Sequence, residues 1–533
     1  MNVLTPIPFR HDPTTAGSRQ RRAGGRTPRL VGAIAGMFLI ALPSWGESTD
    51  AQPGFRDDPA QAHVDYFTTN AYAGTSSCLG CHADEGQDVV ETGHFRWRGA
   101  TVQIEDAVGE VHGKRDLLNN FCIGVPSNEG RCTQCHIGYG YADDLFDFDD
   151  PANVDCLVCH DQTGTYKKAP TAAGQPDPSV DLDLVAQRVA LNDGRPTRAA
   201  CLACHARAGG GDNVKHGDLS SDLVATTRAF DVHMGTDGGD MLCVDCHAPN
   251  ESGAFDHGIG GMSLHSVDQG EMKHCGDCHG LVGVIHQGTS VRRITGSGRH
   301  DRLACQVCHI PAIARAVATK VAWYWSDAGQ DVDPIPFDPV TGRALYDKKK
   351  GSFEWQYDVR PELRYSKDVW QRKIINHSDG FRSVPVPLAT PRGDALDPDA
   401  MIYPFKEMVG DQPVDVQQPR ILVPHLFGTR NGNNPYWALF DWHLALTDGA
   451  AYTGQPYSGE FGFARTTMLL SVNHEVPPAT QALGMGGDCS DCHGSDRFDW
   501  TALGWTGDPD DGGERFRIEP PVFGNDFEQW FVR

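Results

Sequence analysis

Eight times in this sequence two cysteines lie three residues apart and a histidine directly follows the second. The sets are Cys78, Cys81 and His82; Cys132, Cys135 and His136; Cys156, Cys159 and His160; and Cys201, Cys204 and His205. They continue with Cys243, Cys246 and His247; Cys275, Cys278 and His279; Cys305, Cys308 and His309; and Cys489, Cys492 and His493. C-x-x-C-H is the pattern of c-type haem attachment. Two thiols on one turn can each form a thioether to the same porphyrin, and the adjoining histidine can offer its iron an axial nitrogen. A disulfide framework would also use many cysteines in an exported chain, but it needs no histidine after every second one. Zinc ribbons would join the motifs in twos and leave those histidines unexplained. The pattern predicts eight covalently bound haems.

A haem that only transfers electrons wants a second, distal histidine. Eight of the 23 histidines belong to the motifs, so fifteen remain. Those nearest a motif are His94, His216, His233, His257, His286, His300 and His474, and these seven are the expected distal ligands. His63, His112, His265, His274, His377, His425 and His443 stand in reserve. Seven for eight irons leaves one haem without a second histidine. A reaction at iron needs an exchangeable position that a bis-histidine haem lacks, so that haem is the candidate catalytic centre. The stretch GGGDNVKHGDL (209–219) bears on it. Lys215 follows Asp212 by three, so both can face one cavity from a turn. A neutral lysine amine can ligate iron; a solvated lysine is the plain alternative. Cys122, in LLNNFCIG (117–124), belongs to no pair. It is either a small buried apolar residue or a thiol with a use, since an idle thiol is a liability in an oxidising compartment.

The elements that position these groups are short. With 60 Gly and 34 Pro and few long amphipathic periodicities, the expected fold is mainly α with extensive loops and little β, organised around eight packed haems. Residues 1–51 read as a signal peptide: arginines precede the apolar run VGAIAGMFLIAL (31–42), and a polar segment follows. The run is shorter than the ~20 residues of a comfortable span, and an uncleaved anchor is the alternative. Residues 52–320 form an expected heptahaem core, 321–480 a haem-poor wrapping segment, and 481–533 the eighth motif with its tail. The net charge of −24 speaks against nucleic acid as a partner. It suits a basic redox partner and requires a local basic funnel for any anionic substrate.

Several stretches carry a closer likeness. NNFCIG, RCTQCHIGYGYADD, NVDCLVCHDQTGTYKK, GGGDNVKHGDL, DVHMGTDGGDMLCVDCH, HDRLACQVCHIPAIARAVATK and DKKKGSF resemble the tetrathionate reductase family of octahaem c-type cytochromes. The likeness spans roughly residues 74–493, including the late eighth motif. It implies that the haem on Cys132, Cys135 and His136 carries a lysine, Lys215, in place of a distal histidine. It also places Cys122 in the active site, with Asn119 and Asp212 as further polar residues of that pocket. The implied activity is periplasmic reduction of a small inorganic compound: tetrathionate, nitrite or hydroxylamine. Electrons would come from a periplasmic or membrane-bound donor, and a homo-oligomer is possible. Cys122 would handle the substrate at the iron, Asp212 would deliver protons and Asn119 would orient the substrate. Lys320, Lys348, Lys349 and Lys350 would offset negative charge on the way in. Octahaem hydroxylamine oxidation needs a tyrosine after the last motif, and the last tyrosine here is Tyr457. Octahaem nitrite reductases use C-x-x-C-K, which no motif here has. A conduit that moves electrons without a substrate is the rival from another class.

Overall fold

The computed structural model describes residues 58–247, 257, 272–280, 286, 300–428, 434–518 and 531–532. The expected leader and His265 lie outside these residues. Most attachment motifs wind into a short helical turn, as in Leu157–His160, Cys243–Cys246, Cys275–His279 and Cys305–His309. The fourth closes a longer helix, Arg198–His205, capped by the Thr197 hydroxyl accepting from the Ala200 amide. Helix α1, Pro59–Thr69, starts with Asp58 as its cap and Pro59 at its first position, where a missing N–H costs nothing. A two-stranded hairpin, β1 (Gly99–Ala100) and β2 (Val111–His112), precedes the second motif.

The expectation of little β is corrected. Residues 319–471 form most of a ten-stranded mixed sheet. Its strands are β3 (Thr319–Tyr324), β4 (Tyr346–Asp347), β5 (Gly351–Gln356), β6 (Glu362–Ser366), β7 (Val369–Arg372), β8 (Val386–Arg392), β9 (Met401–Asp415), β10 (Arg420–Ile421), β11 (Phe461–Ser471) and β12 (Phe531–Val532). The main path runs β4-β5-β3-β9-β11-β8-β7, with β6, β10 and β12 paired alongside. β9 and β11 pair antiparallel along eleven residues of each, from Phe461↔Asp415 to Ser471↔Phe405. β9 is buried along nearly its whole length, so both its faces are covered and its sequence shows no apolar–polar alternation. Pro404, Gly410 and Pro413 further mask it as a strand. The principal apolar cluster rests on this sheet and includes Trp323, Trp325, Phe405, Met408, Met468 and Leu470.

The sheet fixes two loops. Leu118 N donates to Lys373 O at 2.9 Å, Trp325 Nε1 donates to Phe121 O at 3.1 Å, and the Asn120 amide donates to Met408 O. These bonds seat the 118–124 turn on the sheet. Lys406 of β9 donates from Nζ to Val214 O (2.6 Å), Lys215 O (3.1 Å) and Thr319 Oγ1 (2.7 Å), which seats the Lys215 turn.

Candidate functional site

A continuous cavity of about 4590 Å³ runs through the molecule. That is several times the roughly 300–1,000 Å³ of a pocket for one small ligand. All seventeen cysteines line it, and so do seven of the eight motif histidines. Each of those seven faces one other imidazole across the cavity. The ring centres are 6.0 Å apart for His82–His63, 6.5 Å for His160–His257 and 6.0 Å for His205–His94. They are 6.2 Å for His247–His474, 5.9 Å for His279–His233, 6.3 Å for His309–His286 and 6.2 Å for His493–His300. Two imidazoles that bind one metal from opposite sides, at about 2 Å each, have ring centres about 6 Å apart. The seven pairs therefore fit seven bis-histidine haems.

The outer ring nitrogens support the same fit, because a ligating histidine ordinarily donates its second N–H to a carbonyl or carboxylate. Nδ1 lies 2.7 Å from Pro59 O in His63, 2.8 Å from Gly194 O in His160 and 2.7 Å from Asp508 Oδ1 in His493. In His474 it lies 3.2 Å from Asp218 Oδ2. Each contact leaves Nε2 for the cavity.

His216 is corrected as a distal ligand. It lines the cavity beside His205 and His474 but pairs with no motif histidine among the described residues. His63 takes the place opposite His82, carried there by α1. Proximity in sequence was a poor guide because the fold returns distal ligands from separate elements.

His136 is also corrected as an axial ligand. Its ring is fully buried and turned out of the cavity, packed among Phe95, Trp97, Tyr141, Phe146 and Phe148 at 5.1–5.9 Å between centres. Nε2 is spent on Phe95 O at 2.5 Å. Burial pushes its pKa down to about 3, so the ring is neutral. Two features hold it there. A Cβ on Gly138 would lie 2.7 Å from the His136 ring, so that position has to be glycine. Lys168 Nζ donates to His136 O at 2.5 Å and Gly138 O at 3.1 Å while paired to buried Asp155 at 3.0 Å.

Around the Cys132–Cys135 pair the cavity has a different lining. Lys215 faces it and is an electrostatic neighbour of Cys135. Burial, with Lys114 and Arg372 nearby, pushes the Lys215 amine down to about 7. Cys122 also lines this end and is a neighbour of Cys132. Burial raises its pKa, and Lys350, Lys320, Arg131 and Lys114 oppose that rise. Asn119 shapes the Cys122 turn: its Oδ1 accepts from the amides of Cys122 (2.8 Å) and Phe121 (3.2 Å), and its Nδ2 donates to Ile123 O (3.2 Å).

Of the lysines expected to offset charge, Lys350 lines the cavity. Lys320 is buried in an aromatic box, 3.3 Å from the Phe353 ring centre and 3.8 Å from that of Trp323. Lys348 pairs outward with Asp331, and Lys349 is exposed. Lys114 and Arg131 both line the cavity here, and sequence reasoning missed them. Arg131 lies beside its motif, a signal that could have found it; Lys114 had none. Asp212 is corrected as a pocket residue. It does not line the cavity, and its carboxylate accepts from the Ser221 amide at 2.9 Å and from the Ser221 hydroxyl.

The motifs also lie in a definite order in space. Thiols of Cys78 and Cys156, Cys135 and Cys204, Cys201 and Cys243, and Cys275 and Cys305 are within hydrogen-bond reach of each other. Cys159 neighbours Cys201, Cys246 neighbours Cys278, and Cys308 neighbours Cys492. The first, third, fourth, fifth, sixth, seventh and eighth motifs thus form a line, and the second branches off at the fourth.

A cavity lined by paired thiols and opposed imidazoles defines a multihaem c-type cytochrome with covalently bound haems. Residues 320–496 match the family model described as bacterial cytochrome c. A solved octahaem cytochrome c from Shewanella oneidensis superposes with a TM-score of 0.73 at 36% identity, covering 85% of this chain and 99% of that one. An uncharacterised protein of Archaeoglobus fulgidus is 24% identical over 261 residues, 40% of this chain and 86% of that protein. The chain belongs to the octahaem c-type cytochromes.

Proposed function

We propose that this protein is a periplasmic reductase of a small sulfur or nitrogen oxyanion, acting at the second attachment motif with Lys215 as an iron ligand. The observation that carries this reading is the contrast between that motif and the other seven. Its histidine is buried outside the cavity, whereas Lys215, Cys122 and a group of cations face inward. When bound, the haems supply a relay of electrons and, at this one position, an iron without two histidine ligands. Lys215 suits ligation because burial lowers its amine to about 7, so a large share of it is unprotonated at neutral pH.

The remaining roles belong to the chain's own side chains. Lys114, Arg131 and Lys350 give a net-negative protein the local positive potential that an anion requires. Cys122 presents its thiol among them, and Asn119 fixes the turn that carries it. Among the three substrates the resemblance implies, this cationic lining favours the anions tetrathionate and nitrite over neutral hydroxylamine. Reductive cleavage of tetrathionate takes two electrons, breaks one S–S bond and yields two thiosulfates without consuming a proton. Nitrite reduction consumes protons, and Asp212, the expected donor, is tied to Ser221 outside the cavity. Tetrathionate is therefore the favoured substrate. The electron donor is a periplasmic or membrane-bound protein with a basic docking face, suited to the charge of −24. No helix among the described residues is long and apolar enough to cross a membrane.

The seven paired-histidine sites also suit a conduit without a substrate, and one experiment separates the two. The holoprotein is given reduced viologen and, separately, tetrathionate, nitrite or hydroxylamine. Fast turnover with tetrathionate that falls on the order of 10²–10³-fold in Cys122→Ser, at full haem content, supports the reductase; such a loss is the size expected for one transition-state contact. No turnover with any acceptor leaves the conduit.

A further inference from the structure

Away from the haem cavity, Glu110, His112 and His377 converge on one point. Glu110 Oε2 is 2.8 Å from His112 Nε2 and 3.4 Å from His377 Nε2. The three ligand atoms lie within 4.8 Å of one another, and the imidazole centres are 5.4 Å apart with planes at 60°. Ligand atoms held ~2.0–2.1 Å from a tetrahedral metal are about 3.3 Å from each other. The side chains already stand close to three corners of such a tetrahedron.

The backbone explains the convergence. Glu110 and His112 are two residues apart on the approach to and in β2, so they share a face. His112 is held opposite Gly99 by the hairpin register. His377 arrives from the turn after Ile374, which bridges Leu117, while the Ile375 amide donates to Asp116 O at 3.0 Å. His112 Nδ1 is buried without a hydrogen-bond partner and points toward Asp116 Oδ2 at 3.8 Å. Asp116 is itself fixed by Arg98 Nε at 2.7 Å. A carboxylate behind a ligating imidazole is the usual outer shell of a metal site. Side-chain exposures of 16% for His112, 28% for His377 and 48% for Glu110 leave the fourth corner to water.

We propose that Glu110, His112 and His377 bind one divalent cation of the zinc class, clamping the β1–β2 hairpin to the 374–377 turn. Two imidazoles with one carboxylate select a borderline transition cation over calcium or magnesium. From His112 the chain runs through Lys114 into the Asn119–Cys122 turn, so the clamp fixes the base of that cavity wall.

The test uses the chelator-treated holoprotein titrated with Zn2+ against a chromogenic chelator, with haem content measured in parallel. Wild type should bind one Zn2+ per chain. The double variant His112→Ala/His377→Ala should lose it, because even outer-shell changes cost about 10–100-fold in affinity. Glu110→Gln, at an exposed side chain, should weaken binding at least about tenfold with all haems retained, and it decides the matter if the double variant fails to fold. The absence of saturable binding in wild type would leave the cluster a proton-shared ion pair. Undiminished binding in Glu110→Gln and the double variant would place the ion elsewhere. Either result overturns the proposal.

Discussion

At the scale of single residues, the second motif is set apart by what its side chains face. His136 follows the same C-x-x-C as the other motif histidines, yet its imidazole goes into an aromatic cage and a backbone carbonyl. In the proposed function Lys215 is the nitrogen ligand on this branch of the cavity. Its folded pKa is lowered, so the sign follows directly: above about 7 the amine is a free base that can ligate, and below about 7 protonation competes with the iron. Ligation stabilises the free base further, which moves the crossover downward. A pH titration of the oxidised protein should show the high-spin bands of one haem of eight shifting as pH falls through and below about 7, where protonation takes the amine from the iron. The other seven should stay low-spin over that range. Lys215→Leu, which offers the iron no ligand, should abolish that shift, and an unchanged titration in this variant would remove Lys215 from the iron.

At the scale of elements, helices and strands deliver ligands that the sequence order hides. α1 brings His63 to His82, so His63→Ala should open one more iron and add one high-spin haem. His216→Ala should leave the ligation of all eight unchanged, as optical spectra would record. β9 supports the Lys215 turn through Lys406, and Lys406→Met would strip the donor from Val214 O and Thr319 Oγ1. Leaving such buried acceptors unpaired costs about 1–3 kcal/mol, readable by denaturant unfolding. The attachment cysteines were legible in sequence because a covalent bond to one porphyrin fixes their spacing. Cys122 stood out in sequence because it belongs to no pair, and the structure places it on the cavity wall beside Cys132. The sheet was not, since β9 is covered on both faces and broken by Pro404, Gly410 and Pro413. His136 was misread because its displacement depends on Phe95, Trp97, Gly138 and Lys168, none of which marks itself in the motif. Lys114 was missed because its approach to the cavity is set by the hairpin and not by its neighbours in sequence.

At the scale of the whole molecule, the order of motifs in space decides the route to the candidate site. Seven motifs form a line, and among the described residues the second joins it at the fourth, through the contact of Cys135 with Cys204. On the proposed function, an electron bound for the second site would pass the fourth haem, whichever end of the line receives it. His94, opposite His205, would as the distal ligand help set the potential at that junction. Replacing it with methionine should raise the potential, as Met/His ligation does in cytochromes c. A rise of roughly 59 mV retains an electron tenfold more strongly at a one-electron centre. His94→Met should thus slow viologen-driven turnover by about tenfold or more per 59 mV, with electrons pooling at the fourth haem. The same substitution at His300, opposite His493 at the end of the line, should change the equilibrium titration but leave turnover within about twofold. Stopped-flow reoxidation of the reduced protein by tetrathionate separates the two: a slow phase belongs to His94→Met alone. Equal slowing in both variants would mean that the second site draws its electrons from somewhere other than the fourth.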